Sequence, residues 1–316
     1  MKLLSIVVPC YNEAAALPHL HEALHKVGEE LKSRVRLEIV LVNDGSRDDT
    51  LQVMRELNAR DARVQYCSFS RNFGKEGAML AGLEKANGDY VVIMDADLQD
   101  PPELLHDMLD IMETEAYDCV ATRRVDRKGE PKIRSFFARQ FYKVINRISD
   151  TEIVDGARDF RMMTRQMVDA IVSLPERNRF SKGLFSWVGF ATKWLEYENV
   201  NRVAGETKWS FWKLLLYSFD GIIAFSTAPL ALASILGLLM SFIAIVFIFV
   251  IVIRTWIWGG PVSGWPSTIS IMLFIAGIQL LSIGILGQYL AKVYIEAKQR
   301  PHYVMKEESQ GEDNDG

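Results

Sequence analysis

Residues 90–100 read Tyr-Val-Val-Ile-Met-Asp-Ala-Asp-Leu-Gln-Asp, an apolar run followed at once by acids. Short apolar runs rich in β-branched and aromatic residues are typical of buried strands. The run 90–94 therefore predicts a strand, and Asp95 and Asp97 fall where that strand ends. In a sheet of parallel strands, ligands bind beyond the carboxyl ends of the strands. The two acids are thus candidates for a ligand site.

The same alternation of apolar runs and amphipathic stretches extends from the N-terminus to about Arg124. It predicts an α/β fold, with a mostly parallel sheet covered by helices on both faces. The predicted strands are 3–8, 37–42, 64–70, 90–94 and 119–121, with a further β-rich stretch at 194–203, and the predicted helices are 14–31, 49–60, 75–86 and 103–114.

Composition and charge exclude some classes of protein. The chain has 316 residues and a formal net charge of −4, so no basic face for a nucleic-acid partner is indicated. Cys10, Cys67 and Cys119 lie in or beside apolar runs without metal-ligand spacing, which predicts reduced thiols in a cytosolic core. The apolar run 3–8 ends at Pro9, too early for a secretory signal, so we expect a first strand there and a cytoplasmic domain.

The C-terminal part of the chain has the composition of a membrane anchor. No charged residue occurs over 221–253 or 255–291, and each stretch is longer than the roughly 20 residues that cross a bilayer as a helix. Spans are predicted at 227–253 and 269–291. Lys and Arg flank the outer ends of the two spans, whereas the connecting loop offers only Arg254. This bias places both termini in the cytoplasm.

Two further segments are predicted to lie at the membrane surface. The segment 123–147 carries nine Lys or Arg against two acids and interleaves them with aromatic residues, which favours an interfacial helix, although such a helix could also pack on the sheet. The predicted organisation is a cytoplasmic catalytic domain at 1–205 with an amphipathic helix at 131–148, a juxtamembrane helix at 206–225, two transmembrane helices at 226–292 and a cytoplasmic tail at 293–316. Residues 307–316 are acidic and are expected to be disordered.

Polar clusters follow three of the predicted strands: 9–13, 43–46 and 95–100. Carboxylates at these positions converge on one edge of a parallel sheet, where they can bind a base, a ribose and a metal diphosphate together. Oxygen ligands such as Asp95 and Asp97 suit Mg²⁺ or Mn²⁺, which neutralises the phosphates of a leaving nucleotide. Taken alone, an acidic pair of this kind also occurs as turn or helix-cap residues.

The combination of motifs resembles the family 2 glycosyltransferases with the GT-A fold. The motifs are Pro-x-Tyr-Asn-Glu at 9–13, Asn-Asp-Gly-Ser-x-Asp-x-Thr at 43–50, Ser-Arg-Asn-x-Gly-Lys at 70–75 and Asp-Ala-Asp-Leu-Gln-Asp-Pro-Pro-Glu at 95–103. Within that family the chain is similar to the polyprenyl-phosphate glycosyltransferases, a group that includes bactoprenol glucosyltransferases and dolichol-phosphate mannose synthases. The resemblance extends over nearly the whole chain, including both predicted spans.

The resemblance implies a role for each matching residue. Pro9, Tyr11, Glu13 and Asp44 would hold the base and ribose, and Asp95, Asp97 and Gln99 would surround the metal and the diphosphate. Arg123 and Arg134 would meet the acceptor phosphate, while Lys208 and Arg202 would close over the donor phosphates. These four basic residues could equally be interfacial cations that meet anionic lipid.

The family pattern places a catalytic acid at Asp159. The alternative is a structural ion pair with the neighbouring arginines. A phosphate acceptor has a second pKa near 6 by analogy with phosphorylated side chains, so it needs little help from a base. We therefore expect Asp159 to orient the acceptor rather than to deprotonate it.

The implied reaction is direct attack by the lipid phosphate on the sugar's anomeric carbon, with inversion of configuration. UDP-glucose and undecaprenyl phosphate are the expected substrates, and N-acetylglucosamine, galactose and mannose are alternative sugars. A processive polysaccharide synthase would need more spans and a Gln-x-x-Arg-Trp-type motif, and a non-catalytic scaffold that binds nucleotide sugars would lack the metal carboxylates. Glycines at 237, 277, 284 and 287 favour close helix packing, and the family resemblance favours a homotetramer.

Overall fold

The computed structural model describes residues 1–124, 143, 145–149, 154, 156–197, 222–223, 225–258 and 264–309. The predicted helix at 131–148 and the predicted juxtamembrane helix at 206–225 fall largely outside these residues. Only short helical pieces at 145–148 and 222–223 are described there, together with helical residues 143 and 225.

An eight-stranded sheet forms the centre of the first 197 residues, with its last strand supplied by the C-terminus. The strands are β1 (Lys2–Cys10), β2 (Val35–Asn43), β3 (Val64–Phe69), β4 (Tyr90–Ile93), β5 (Cys119–Arg124), β6 (Ala157–Thr164), β7 (Thr192–Tyr197) and β8 (Met305–Glu308). The helices that follow or separate them are α1 (Leu17–Leu31), α2 (Thr50–Arg60), α3 (Lys75–Lys85), α4 (Leu104–Thr114), α5 (Arg165–Val172) and α6 (Ser181–Trp187). The predicted α/β class is confirmed.

The strand order is β7-β5-β6-β4-β1-β2-β3-β8. The four central strands β4, β1, β2 and β3 are parallel, as predicted, because a helix returns the chain across the sheet between successive strands. The flanks differ from the prediction. Strand β6 inserts between β4 and β5 and is antiparallel to both, and β8 is antiparallel to β3.

The sheet is buried on both faces. Along β1, Ile6 and Val8 contact the core formed with α1, α2 and α4, whereas Val7 contacts the core formed with α3, α5 and α6. Successive strand residues point to opposite faces, so a strand between two helical layers reads as a continuous apolar run. All three cysteines are free and buried, as predicted.

Two long helices follow, α7 (Ala228–Trp258) and α8 (Trp265–Ala297). Both are apolar and long enough to cross a membrane, and their most apolar windows are not buried within the protein. Both are longer than the predicted spans, since α7 continues past residue 253 at its C-terminal end and α8 extends beyond residues 269–291 at both ends. Around the four span glycines an added Cβ atom would meet nothing within 4 Å, so these glycines do not bring α7 and α8 together.

The C-terminal segment corrects one expectation. Residues 307–316 were predicted to be disordered, but Glu307 and Glu308 belong to β8, which adds to the free edge of β3. Glu307 accepts hydrogen bonds from Arg55 and Tyr66, and Glu308 pairs with Lys85. Glu307 and Glu308 are therefore paired with basic residues of α2 and α3, while residues 310–316 lie outside the described part of the chain.

Candidate functional site

The carboxyl ends of β1, β2 and β4 meet at one edge of the sheet, as the strand register requires. Cys10 lies opposite Asn43, and Val7 lies opposite Ile93. The polar loops that follow these strands therefore lie side by side. The three clusters singled out in the sequence are brought together.

The loops after β1 and β2 are joined by hydrogen bonds. The backbone N–H of Asn12 donates to Ser46 Oγ at 3.0 Å, and Arg47 N–H donates to Asn12 Oδ1 at 2.8 Å. Asn12 itself has a positive φ of 56°, a conformation that asparagine tolerates better than most residues. Pro9 lies at the end of β1, and Tyr11 and Glu13 follow it, all three partly exposed at this edge.

Asp44 is buried and holds the loop at 72–74. Its carboxylate accepts from the backbone N–H groups of Phe73 at 2.6 Å and Gly74 at 3.0 Å, and from Asn72 Nδ2 at 2.9 Å. Burial raises the pKa of Asp44, and the two backbone donors partly offset this effect. The structure thus gives Asp44 a supporting contact that sequence reasoning did not predict, while its role toward a base or ribose stays a prediction.

Asp159 reaches the same edge from the antiparallel strand β6. Ile93 pairs with Arg161, so two residues further along each strand Asp95 and Asp159 come close together. The residue lies inside β6. This placement depends on the return direction of β6, which the sequence does not reveal.

A single ammonium group joins these two acids. Lys75 Nζ lies 2.5 Å from Asp95 Oδ1 and 2.5 Å from Asp159 Oδ2. Desolvation alone would lower the pKa of Lys75, but attraction to Asp159 and Asp95 raises it above its ordinary value. Desolvation alone would raise the pKa of Asp159, but Lys75 and Lys182 hold it well below its usual range. Asp159 is therefore an ionised, paired carboxylate at neutral pH and a weak base.

The predicted metal ligands lie on one loop. Leu98 has a positive φ of 55°, and the Gln99 N–H donates to Asp97 Oδ1 at 3.2 Å. Within the described part of the chain, no three His, Cys, Asp or Glu side chains converge as a metal cluster. The donor chemistry nevertheless fits a hard divalent cation, since Asp95, Asp97 and Gln99 offer oxygen atoms and the Lys75 ammonium already lies against Asp95 as a positive charge.

Several basic residues surround Asp159, and the sequence analysis assigned none of them a role in the reaction. Arg158 pairs with Asp100, which also accepts a hydrogen bond from Tyr197. Arg161 is buried, lies 3.7 Å over the ring of Phe185 and has a buried Nε with no hydrogen-bond partner. A signal was present for two of them, because Arg158 and Arg161 bracket Asp159 in the sequence.

Lys75 and Lys182 complete this basic group. Lys75 belongs to the quoted Ser-Arg-Asn-x-Gly-Lys motif, so its importance was within reach of sequence analysis. Burial, together with repulsion by Arg158, Lys75 and Arg161, lowers the pKa of Lys182. No sequence pattern marks Lys182, whose place beside Asp159 depends on how α6 packs against the sheet.

Of the four basic residues predicted to contact phosphates, the structure describes only Arg123. Arg123 lies on β5, where it forms an ion pair with Glu196 of β7, so it is partly neutralised. Its role toward a phosphate stays a prediction. Arg134, Arg202 and Lys208 lie outside the described residues.

An apolar groove opens where α7 and α8 meet the rest of the described chain. It has a volume of about 840 Å³ and is lined by Ile148, Ile222 and Ile223 together with residues of α7 and α8. Tyr289 of α8 donates a hydrogen bond to the carbonyl of Ser226 beside it. The lining is mainly apolar and offers few polar partners.

Known proteins are similar in sequence to this chain over almost its full length. The chain is 42% identical over 307 residues to the bactoprenol glucosyl transferase of Shigella phage SfV, covering 97% of this chain and 99% of that protein. It is 41% identical over 303 residues to the prophage bactoprenol glucosyl transferase homolog of Escherichia coli K12, covering 96% and 98%. Among solved structures, mannosyl-3-phosphoglycerate synthase from Rubrobacter xylanophilus aligns with a TM-score of 0.48 at 19% identity, over 70% of this chain and 72% of that one.

The sequence profile named Glycosyl transferase family 2 matches residues 5–172, which include all but the first three residues of β1, the whole of β2 to β6 and every described acid of the candidate site. With its GT-A-like sheet, this chain belongs to glycosyl transferase family 2.

Proposed function

We propose that the protein transfers glucose from UDP-glucose to the phosphate of a polyprenyl lipid, undecaprenyl phosphate, at the cytoplasmic face of the membrane. The observation that carries this proposal is the union, in one chain, of a strand-end acidic site with an apolar groove between two helices long enough to cross a membrane. The names of the bactoprenol glucosyl transferase relatives support the choice of sugar and lipid.

The donor is proposed to bind across the loops that follow β1, β2 and β4. Pro9, Tyr11, Glu13 and Asp44 would face the base and ribose, and Asp44 also fixes the 72–74 loop beside them. Asp95, Asp97 and Gln99 would hold Mg²⁺ or Mn²⁺. The metal, when bound, supplies positive charge to the leaving diphosphate.

The acceptor phosphate is proposed to approach on the side of Asp159. It is ionised at neutral pH and can attack the anomeric carbon directly, so the sugar inverts and no covalent sugar intermediate forms. Asp159 is already charged and paired with Lys75, so it would orient neighbouring groups rather than accept a proton. Lys182 and Arg158 supply positive charge where two phosphates must come close together.

The lipid chain is proposed to lie in the apolar groove, with α7 and α8 in the bilayer and both chain termini in the cytoplasm. Arg123, Arg134, Arg202 and Lys208 would contact phosphates at this level. We further propose a homo-oligomer, a tetramer, in which the span glycines face other protomers, since they are open within one chain.

The test is a transfer assay with the purified full chain, undecaprenyl phosphate, Mg²⁺ or Mn²⁺ and a panel of labelled nucleotide sugars. We expect UDP-glucose to label the lipid and Asp97→Ala to abolish labelling. Asp107→Ala is the matched control, because Asp107 is an exposed acid on α4. Labelling of lipid by another sugar would correct the donor, and no labelling by any sugar, or full activity of Asp97→Ala, would refute the proposed site.

A further inference from the structure

A second cavity, of about 600 Å³, lies between the first turn of α3, the 177–179 loop, the last turn of α8 and the chain that follows α8. It is separate from the apolar groove. Its basic lining residues are Arg71, Arg177, Arg179, Lys298, Arg300 and His302.

The described residues compensate this positive charge only in part, since Glu76, Glu84 and Glu176 attract Arg179 without forming an ion pair with it. Glu76 is the one acid among the described lining residues, and Ser181 donates to it from both its backbone N–H and its hydroxyl. Across the described ranges, no carboxylate lies within ion-pair distance of the five Arg and Lys side chains. An anion is therefore the ligand that the cavity favours.

Individual contacts support this conclusion. Arg179 donates to the carbonyl oxygens of Leu174 and Ile171 at 2.9 and 3.0 Å, and these neutral acceptors do not cancel its charge. Nη1 of Arg177 is buried without a hydrogen-bond partner. Burial lowers the pKa of His302, and repulsion by Arg179 and Arg177 lowers it further, as expected where the potential is positive.

The cavity lies at the depth of lipid headgroups if α8 crosses a bilayer. Lys292 is the first charged residue after the apolar span, and Lys298 follows the last turn of α8. Glu296 accepts from the backbone N–H groups of Arg177 and Asn178 at 2.8 and 3.1 Å. These bonds fix the 177–179 loop against the end of the membrane helix, so its arginines are held at the surface of the bilayer.

We propose that this cavity binds the phosphate headgroup of an anionic bilayer phospholipid. Guanidinium groups bind phosphate oxygens in pairs, and basic pockets beside membrane helices on the cytoplasmic side bind anionic headgroups. The site is separate from the reaction centre, because Lys75 faces Asp95 and Asp159 whereas the next residue, Glu76, faces the cavity. The inference rests on the membrane placement in the proposed function.

The experiment measures phosphatidylglycerol retained by the full chain in detergent, using native mass spectrometry and titration, with phosphatidylcholine as the neutral lipid. The test variant is Arg177→Gln/Arg300→Gln. The matched control is Arg36→Gln/Arg60→Gln, which removes two exposed cations outside the cavity. We expect preferential retention of phosphatidylglycerol, an apparent Kd weakened about 30-fold in the test variant, or about fivefold for each cation, and an unchanged Kd in the control.

Two further measurements distinguish a lipid headgroup from a soluble phosphate ion, and loss of the site from misfolding of the variant. Arg177→Lys/Arg300→Lys keeps both charges but loses the paired guanidinium contacts, so it should bind phosphatidylglycerol more tightly than the Gln variant and more weakly than wild type. Equal weakening in the Gln and Lys variants would point to misfolding and overturn the assignment. Equal retention in the Gln variant and its control would also overturn it. Displacement of phosphatidylglycerol by millimolar inorganic phosphate would indicate a soluble anion instead.

The last measurement tests whether polyprenyl phosphate competes with phosphatidylglycerol for the cavity. If it displaces phosphatidylglycerol and the Gln variant has a raised KM for it, the cavity belongs to the acceptor and the proposal is wrong. If phosphatidylglycerol binding depends on the two arginines while no sugar reaches any lipid in the transfer assay, the headgroup site stands and the proposed function fails.

Discussion

Lys75 Nζ lies 2.5 Å from Oδ2 of Asp159, and the same nitrogen contacts Asp95. One residue of α3 thereby joins acids from β6 and from the loop after β4, which would otherwise repel each other. The side chain of Asp159 is 16% exposed and that of Lys75 is 42% exposed, so the pair is open to ligands on the lysine side. The contact organises the edge at which we propose that the sugar is transferred.

Replacement of Lys75 by methionine should therefore impair turnover. Lys75→Met keeps the length of the side chain but leaves Asp95 and Asp159 without their shared cation, and we expect kcat to fall by about 100-fold, the usual cost of removing one electrostatic contact at a reaction centre. The measurement is sugar transfer to polyprenyl phosphate at saturating donor. Lys85→Met at the other end of α3 is the control, because Lys85 pairs with Glu308, far from the site in the fold. Wild-type turnover in Lys75→Met would show that the contact has no part in the reaction.

The sequence predicted the central sheet because short, mainly apolar runs alternate there with longer helical stretches. It could not predict the position of Asp159 relative to Asp95, since that depends on β6 returning antiparallel to β4. Nor could it predict β8, whose residues Met-Lys-Glu-Glu have little intrinsic preference for a strand. The open backbone edge of β3 provides that pairing.

A substitution at Gly45 should disturb the donor side of the site. Gly45 has a φ of +61°, and an added Cβ would lie 2.3 Å from the carbonyl carbon of Arg71 and 2.5 Å from Asn72 N. In Gly45→Ala the 71–74 loop must move, which breaks the hydrogen bonds that Asp44 accepts from it. We expect the KM for the nucleotide sugar to rise about tenfold, with a loss of about 2 kcal/mol in unfolding free energy.

Gly74→Ala is the matched control for this substitution. Gly74 also has a positive φ, of +99°, but an added Cβ would meet nothing within 4 Å. It should cost only backbone strain, about 1 kcal/mol, and leave the KM near the wild-type value. Similar effects of the two substitutions on KM would mean that backbone strain, and not displacement of the 71–74 loop, is responsible.

Glu76 should make stability depend on pH. Burial raises the pKa of Glu76 to about 7 in the folded protein, from an ordinary glutamate value of 4.5. Between these two values the folded state binds more protons than the unfolded state, so stability falls as pH rises. We expect the thermal midpoint in detergent to decrease from about pH 4.5 to about pH 7 through this group.

Glu76→Gln removes that titration while keeping an oxygen that can accept from Ser181. The variant should show a flatter profile than wild type across the same window. Glu56→Gln is the control, since Glu56 is an exposed residue of α2 and its loss should leave the slope unchanged. Identical slopes in Glu76→Gln and wild type would show that Glu76 titrates near its ordinary pKa.

Deletion of residues 305–316 should expose the edge of β3. Strand β8 covers that edge, Ser309 N–H donates to the Tyr66 carbonyl at 2.9 Å, and Tyr66 N–H donates to Ser309 Oγ at 3.0 Å. An uncovered edge strand is a template for pairing with other chains. We expect the truncated protein to aggregate on size-exclusion chromatography in detergent and to melt several degrees lower, since about 1 kcal/mol shifts the midpoint of a domain of this size by about 2–4 °C.

The substitution Glu307→Gln tests the contribution of the ion pair separately from that of the backbone pairing of β8. The Arg55–Glu307 pair is partly exposed, at 46% and 29% of the two side chains, and such pairs contribute about 1 kcal/mol or less. The substitution should leave the chain monodisperse, because the backbone pairing of β8 with β3 does not depend on that charge. If Glu307→Gln aggregates as the truncated protein does, the ion pair and not the backbone ladder holds β8 in place. A truncated chain as stable as wild type would mean that β3 needs no cover at all.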